Sequence, residues 1–202
     1  MEMPHIALFH TRSIPSEAFA EFLQVVSTEG LSLQVEARDD DGPQAALEWL
    51  IPTAFIAYIA KPYFDGFLKE AGKDHYALLK VGLKSLYGKL VGPGAPQLTL
   101  VSSKGKLKSE QPYSLVYSIV AEAGADLRFK LLLERSATRV EYEEVISSFL
   151  AFLDAYHAGA LGSTTLDKLK RTRVVCRTLL LAFNPTSGQI EPIDPLSNKS
   201  KP

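Results

Sequence analysis

The chain lacks most of the features that assign a function quickly. It has a single cysteine, Cys176, so no intrachain disulfide can form, which fits a reducing compartment. It also lacks a charge imbalance. The formal net charge is −1 at pH 7, whereas a dedicated nucleic-acid binder carries a marked basic excess. We therefore predict that nucleic acid is not its main partner, although this balance leaves room for a local basic segment.

A long uninterrupted apolar run is missing as well. The longest apolar stretch, residues 47–60, contains Glu48 and Pro52. A membrane-spanning helix needs about 20 predominantly apolar residues, so we predict no membrane span. The first residues carry Glu2 where a secretion signal would be basic, and we therefore expect a cytoplasmic protein.

What the chain does have is the composition of a globular domain. Its 202 residues are 46% hydrophobic and 22% charged, which sustains one core without disulfides or metal. A segment rich in glycine and proline at 92–96 marks the clearest internal boundary. We predict an α/β (or α+β) fold in which residues 1–92 and 93–196 pack as one domain, followed by a disordered tail at 197–202.

The N-terminal half is predicted to begin with a strand, a helix and a second strand. Residues 5–10 form a short apolar run that is typical of a buried strand. A helical face follows and ends at Gly30; its apolar residues are Phe19, Phe22, Leu23 and Val26. Residues 31–35 then alternate between apolar and polar, as in a half-buried strand. Such a unit is normally parallel, which predicts a βαβ-type open sheet with covering helices.

The rest of this half is predicted to add two helices and one strand. A short helix is expected at 44–50, and residues 54–60 follow as a third buried strand. The alternative for this region is one continuous helix with a kink at Pro52. Residues 63–90 carry a wide apolar stripe at helical spacing, with a break expected at Gly72.

The C-terminal half is predicted to contain a β-hairpin, a long helix and a final strand or hairpin. The expected elements are a strand at 97–102, a hairpin of 113–121 with 127–133 around a loop of about five residues, a helix at 139–157, a strand at 174–183 and a hairpin partner for it at 189–193.

The loop after the first strand is the best place for an enzyme site. The carboxyl ends of parallel strands share one edge, which would bring His10, Arg12, Ser13 and Asp39 together. In a hydrolase or transferase, His10 would be the base, Ser13 or Thr11 the nucleophile or phosphate contact, and Arg12 the anion clamp. The simpler interpretation is a capping serine in a polar loop, and residues 39–41 fit a solvated turn rather than a metal site. We predict no metal site and no cofactor.

Two further segments are candidate binding surfaces. Tyr63, Phe64 and Phe67 form an aromatic corner that is either an exposed docking surface or part of the core. The densest basic run contains Lys168, Arg171 and Arg173, and it either contacts phosphates or an acidic partner or is a solvated connector.

Two single residues have simpler interpretations. His75 lies on the apolar stripe of the long helix, so we predict a core histidine with satisfied hydrogen bonds. Cys176 lies within the predicted strand 174–183 and faces away from its neighbouring arginines, so we predict a buried, unreactive thiol.

These observations favour a non-enzymatic protein-interaction module, such as a regulatory, adaptor or immunity-type subunit. The expected partner is another protein or a second copy of the chain. It would bind the 61–90 segment or the sheet edge around 174–193. The alternatives are a small hydrolase or transferase at the first strand edge, and a weak nucleic-acid binder that uses the basic segment.

Overall fold

The structure, a computed structural model, describes residues 4–39, 54–91, 113–114, 116–135 and 137–194. The predicted helix at 44–50, the predicted strand at 97–102, the boundary at 92–96 and the predicted tail at 197–202 lie outside the described residues.

In the described part of the chain, seven strands form one mixed sheet in the order β2-β1-β3-β4-β5-β6-β7. They are β1 (Ile6–Thr11), β2 (Leu33–Arg38), β3 (Phe55–Ile59), β4 (Tyr117–Gly124), β5 (Leu127–Leu131), β6 (Thr178–Asn184) and β7 (Gln189–Ile193). Together with the helices, this sheet makes the protein an α/β fold.

The strand directions confirm the predicted N-terminal unit. β1 and β2 run parallel, with Ile6 opposite Leu33. Residues 54–60 were predicted as a strand, and β3 lies there. The alternative of one continuous helix kinked at Pro52 is wrong for these residues, which are the part of that region that the structure describes. This strand, β3, runs antiparallel to β1 and parallel to β4. The carboxyl ends of β3 and β4 therefore lie side by side.

Within the described residues, five α-helices accompany the sheet: α1 (Ala20–Val26), α2 (Leu68–Ala71), α3 (Lys73–Leu90), α4 (Arg139–His157) and α5 (Ser163–Arg171). Helices α1, α3 and α4 cover one face of the sheet, and α3 packs against both of the others. Aromatic pairs join the two layers: Phe19 with Phe55, Tyr117 with Tyr142, and Phe129 with Phe152. No described helix is long and apolar enough to cross a membrane.

Helix boundaries follow local chemistry. The predicted break at Gly72 is confirmed, because this glycine has a φ of +76° and separates α2 from α3. Helix α4 begins with a capping box: the Thr138 hydroxyl accepts from the Glu141 amide, and the Glu141 carboxylate accepts from the Thr138 amide. This cap fixes where α4 starts, and Gly159 with a φ of +68° follows its last turn.

Two predictions for the C-terminal half need correction. The β4–β5 hairpin has a two-residue loop, Ala125 and Asp126, rather than about five residues. The predicted strand at 174–183 begins only at Thr178. Before it, Val175 and Thr178 exchange two hydrogen bonds across a tight turn, in which Cys176 and Arg177 both have positive φ.

The expected burial of Cys176 is therefore wrong, because the turn exposes this residue to solvent. The prediction failed for a physical reason. Two consecutive left-handed residues usually need asparagine or glycine, and neither stands at this turn. The final hairpin of β6 with β7 is confirmed.

Candidate functional site

A groove opens where the turn after β3, helix α2, the start of α3 and the end of α4 meet. Its volume is about 510 Å³, which is in the usual range for ligand pockets. The described lining residues are Phe64, Asp65, Leu68, Lys69, Gly72, Tyr76, Asp154, His157 and Ala158. Apolar side chains thus stand beside charged groups of both signs, which is the composition of a binding site.

Local sequence explains why these elements meet. Pro62 precedes a π-helical turn, Tyr63–Phe67, which leads into α2. Gly72 then lets the chain change direction into α3. In the last turns of α4, Asp154 and His157 are three residues apart and share one face of the helix.

The turn Tyr63–Phe67 divides its aromatic side chains between the core and the groove. Tyr63 and Phe67 are buried against His75, which is itself 3% exposed. Phe64 lines the groove, where its ring stacks on His157. The aromatic corner predicted as a docking surface or core is thus mostly buried, and only Phe64 lines the groove.

His75 has both ring nitrogens satisfied. Its Nε2 donates to the Val26 carbonyl at 2.8 Å, since a carbonyl only accepts. In the neutral imidazole, Nδ1 then accepts from the Tyr63 hydroxyl at 3.1 Å. These two bonds give His75 a structural role, as predicted.

His157 is the second histidine of this region, and one of its nitrogens is unpaired. Its ring lies 4.3 Å from that of Phe64, with the planes at 12°. Its Nε2 is buried and has no hydrogen-bond partner among the described residues. Burial lowers the pKa of His157, although the Asp65 carboxylate and the Glu122 backbone carbonyl act to raise it. The imidazole is therefore neutral at pH 7.

Tyr76 contributes a second unpaired group. Its hydroxyl oxygen is buried and, within the described chain, bonds to nothing. Burial and the negative charge of Asp154 raise the pKa of Tyr76, so the hydroxyl keeps its proton. Buried polar atoms are normally paired, yet two of the three unpaired ones in the described part of the chain belong to this groove. Two unpaired polar atoms thus lie buried within side chains that line the groove.

The carboxylates of the groove differ in their surroundings. Lys61 donates to Asp65, and this bond, together with the charge of Lys69, lowers the pKa of Asp65. Asp154 has no ion-pair partner among the described residues, and its charge acts on Tyr76 and His157, which are both neutral at pH 7.

A set of hydrogen bonds behind the groove holds Lys61 in place. The Glu122 carboxylate, at the end of β4, accepts from the Lys61 amide at 2.9 Å and from the Tyr58 hydroxyl. Burial and Glu122 together raise the pKa of Tyr58, so it remains a donor. The adjacent ends of β3 and β4 thus fix the position from which Lys61 reaches Asp65.

None of the described lining residues of the groove is a serine, threonine or cysteine; its nucleophilic and acid–base groups are carboxylates, a lysine, a phenol and an imidazole. The Tyr76 hydroxyl keeps its proton and is a weak nucleophile. No group of three or more metal-ligating side chains occurs in the described segments.

The residues predicted at the first strand edge lie elsewhere. Arg12 donates to Asp39 at 2.7 Å, and both side chains are largely exposed, 72% and 85%. His10 lies on the helix-covered side, where its ring contacts Phe19, and its Nδ1 donates to the Thr11 carbonyl. Ser13 bonds to Thr11 at 2.8 Å. The hydrolase hypothesis, which requires His10, Arg12 and an aspartate to converge, stays a prediction.

The predicted basic segment spans the end of α5 and the chain after it. Lys168 forms an ion pair with Glu191 of β7 at 3.0 Å. Arg171 and Arg173 are exposed. Binding of phosphates by this segment also stays a prediction.

Of the lining residues, only Phe64 was predicted individually as a binding residue; Tyr76 lies within the predicted 61–90 partner segment, whereas Asp154 and His157 lie outside every predicted binding segment. The spacing of Asp154 and His157 places them on one helix face and was the available signal. Nothing in the sequence indicates that this face meets Tyr76 of α3.

Comparison of the chain with protein-family models, curated proteins and solved structures finds no match. The candidate site is therefore argued from its own geometry.

Proposed function

We propose that the protein is a cytoplasmic, non-enzymatic interaction module that binds another protein through the groove formed by α2, α3 and α4. The partner would insert a side chain between Tyr76 and His157. The single observation that supports this is the pair of buried, unpaired polar atoms, Tyr76 Oη and His157 Nε2, among the residues of one groove.

The energetic argument is that an unpaired buried polar atom costs roughly 1–3 kcal/mol. A partner that supplies hydrogen bonds to both atoms recovers part of this cost on binding. Core polar groups of the same region, such as His75 and Tyr142, are paired within the protein. Both unpaired atoms are buried, so the partner's side chain would reach them by displacing groups that line the groove.

The proposal is tested by affinity capture from lysate with three forms of the purified protein. These are the wild type, the groove variant Tyr76→Phe/His157→Phe, and the matched surface variant Lys168→Ala/Arg171→Ala. Proteins retained by each form are quantified by mass spectrometry. Thermal unfolding first shows that all three forms are folded.

We expect at least one protein that the wild type and the surface variant retain equally and that the groove variant loses. Retention of every captured protein by the groove variant would overturn the proposal. Loss in the surface variant alone would move the interface to the basic segment.

A further inference from the structure

We propose that two copies of the chain form a dimer in which strand β2 of one copy pairs antiparallel with β2 of the other. The two sheets would then join into one continuous sheet. This surface is separate from the groove, because none of the described lining residues of the groove belongs to β2.

The two edge strands of the sheet, β2 and β7, differ in how they are protected. β7 contains Pro192, and both α4 and α5 pack against it. β2 contains neither proline nor lysine, and its residues from Gln34 to Arg38 are all exposed. Among the described elements, only β1 packs closely against β2. Because an unprotected edge accepts another strand, β2 is the edge at which the sheet can be extended.

The backbone of β2 directs a row of hydrogen-bonding groups outward. The Ile6 amide donates to the Ser32 carbonyl at 3.2 Å, so the even-numbered residues of this stretch direct their amides and carbonyls at β1. The odd-numbered residues Leu33, Val35 and Ala37 therefore direct theirs away from the sheet. These outward groups have no hydrogen-bond partner in the part of the chain that the structure describes. A second strand would pair them.

The sequence of β2 complements itself when two copies run antiparallel about a two-fold axis at Val35. Leu33 then lies opposite Ala37 of the other copy and Val35 opposite its own counterpart, which pairs every outward amide and carbonyl. The Val35 side chain, now 40% exposed, is covered by its counterpart. On the other face Gln34 lies opposite Glu36, so an amide meets a carboxylate and no like charges lie directly opposite each other. These matches identify a second copy of the chain as the occupant of the edge.

The test measures the oligomeric state of the full chain by sedimentation velocity from about 1 to 200 μM, because dimerisation depends on protomer concentration. As the concentration rises, the wild type should shift from the 22.2 kDa chain to twice that mass. Val35→Lys and Val35→Glu each place like charges opposite each other at the two-fold axis and should weaken dimerisation at least about tenfold. An equimolar mixture of the two variants should restore the dimer, because opposite charges then meet.

Two controls accompany these variants, and thermal unfolding first shows that every form is folded. Val35→Thr keeps the shape of the side chain and the backbone groups, so it should still dimerise. The groove variant Tyr76→Phe/His157→Phe should also dimerise like the wild type, since the groove and β2 are separate surfaces.

A wild type that stays monomeric at every concentration would overturn the inference and leave the β2 edge to a strand of another protein. Charged variants that dimerise like the wild type, or a mixture that stays monomeric, would overturn it too, because the two copies would then not meet at Val35. Loss of the dimer in the groove variant alone would overturn the inference and move self-association to the groove.

Discussion

Helix α3 makes two interfaces with neighbouring helices, and the two are built differently. Against α1 the contact is closed. Gly82 brings the backbone of α3 so near to α1 that an added Cβ would lie 2.5 Å from a methyl carbon of Val26. His75 donates to the carbonyl of the same valine. Polar and apolar contacts thus converge on the last turn of α1.

Against α4 the contact is closed at one end and open at the other. At the closed end, the Tyr142 hydroxyl donates to the Leu83 carbonyl at 2.8 Å, and Lys84 pairs with Glu143 at 3.1 Å. At the open end, Tyr76 and His157 line the groove and leave polar atoms unpaired.

This difference separates stability from binding along one helix. Where an interface is closed, each polar side chain has an internal partner, and its removal should cost stability. Where the interface is open, the unpaired polar atoms do not stabilise the fold, and their removal should cost binding while stability stays the same or rises. The following substitutions test this separation.

The largest effect is expected from one matched pair of histidine substitutions. His75→Phe leaves the Val26 carbonyl and the Tyr63 hydroxyl without partners in the core, which should lower the free energy of unfolding by about 3 kcal/mol. His157→Phe keeps a ring stacked on Phe64 and removes the unpaired Nε2 together with the hydrogen bond to the Glu122 carbonyl, so stability should fall by no more than about 1 kcal/mol. Urea unfolding measures both, and equal losses would contradict the comparison.

A second pair tests the close approach of α3 to α1. Gly82→Ala overpacks the contact with Val26 and Phe22, and this cost outweighs the roughly 1 kcal/mol gained in helix propensity. We expect a net loss of about 1–2 kcal/mol. Gly88→Ala lies on the same helix with no atom within 4 Å of the added Cβ, so it should gain about 1 kcal/mol. Denaturant midpoints that shift in the same direction for both variants would refute this account.

Much of the closed region could be predicted from the sequence. The spacing of Phe22 and Val26 predicted α1, and the apolar stripe predicted both α3 and the core position of His75. The close approach of α1 to Gly82 could not be predicted, because helix propensity is a local property and the packing of another helix is not.

The open region could not be predicted in the same way. His157 was recognised only as the last residue of a helix. Its importance depends on Tyr76 and Phe64, which lie far away in the sequence and reach it through the packing of α3 and α4. Conversely, Arg12 and Asp39 were correctly expected at one edge of the sheet. The parallel strands β1 and β2 lead to this edge, where Arg12 Nε lies 2.7 Å from Asp39 Oδ1.

A smaller effect should distinguish the two ends of the α3–α4 contact. Tyr142→Phe removes a buried hydrogen bond to Leu83 and should cost about 1–2 kcal/mol. Tyr76→Phe removes a hydroxyl that bonds to nothing described, so stability should be unchanged or rise by up to about 1 kcal/mol. Thermal unfolding at pH 7 compares the two variants, and a destabilisation by Tyr76→Phe as large as that by Tyr142→Phe would show that Tyr76 supports the fold.

The smallest effect concerns pH and isolates His157. Its pKa is lowered in the folded protein, chiefly by burial, so between that value and its ordinary value near 6.5 the unfolded chain binds more protons than the folded one. The unfolding free energy of the wild type minus that of His157→Phe should therefore be highest above pH 7. It should decline as the pH falls through 6.5 and level off below the pKa that His157 has in the folded protein. Urea unfolding of both proteins from pH 8 to 5 measures this difference, and over that range the carboxylates stay largely ionised. A difference that is flat, or that grows as the pH falls, would mean that Asp65 and Asp154 outweigh burial, and His157 would then be charged in the groove.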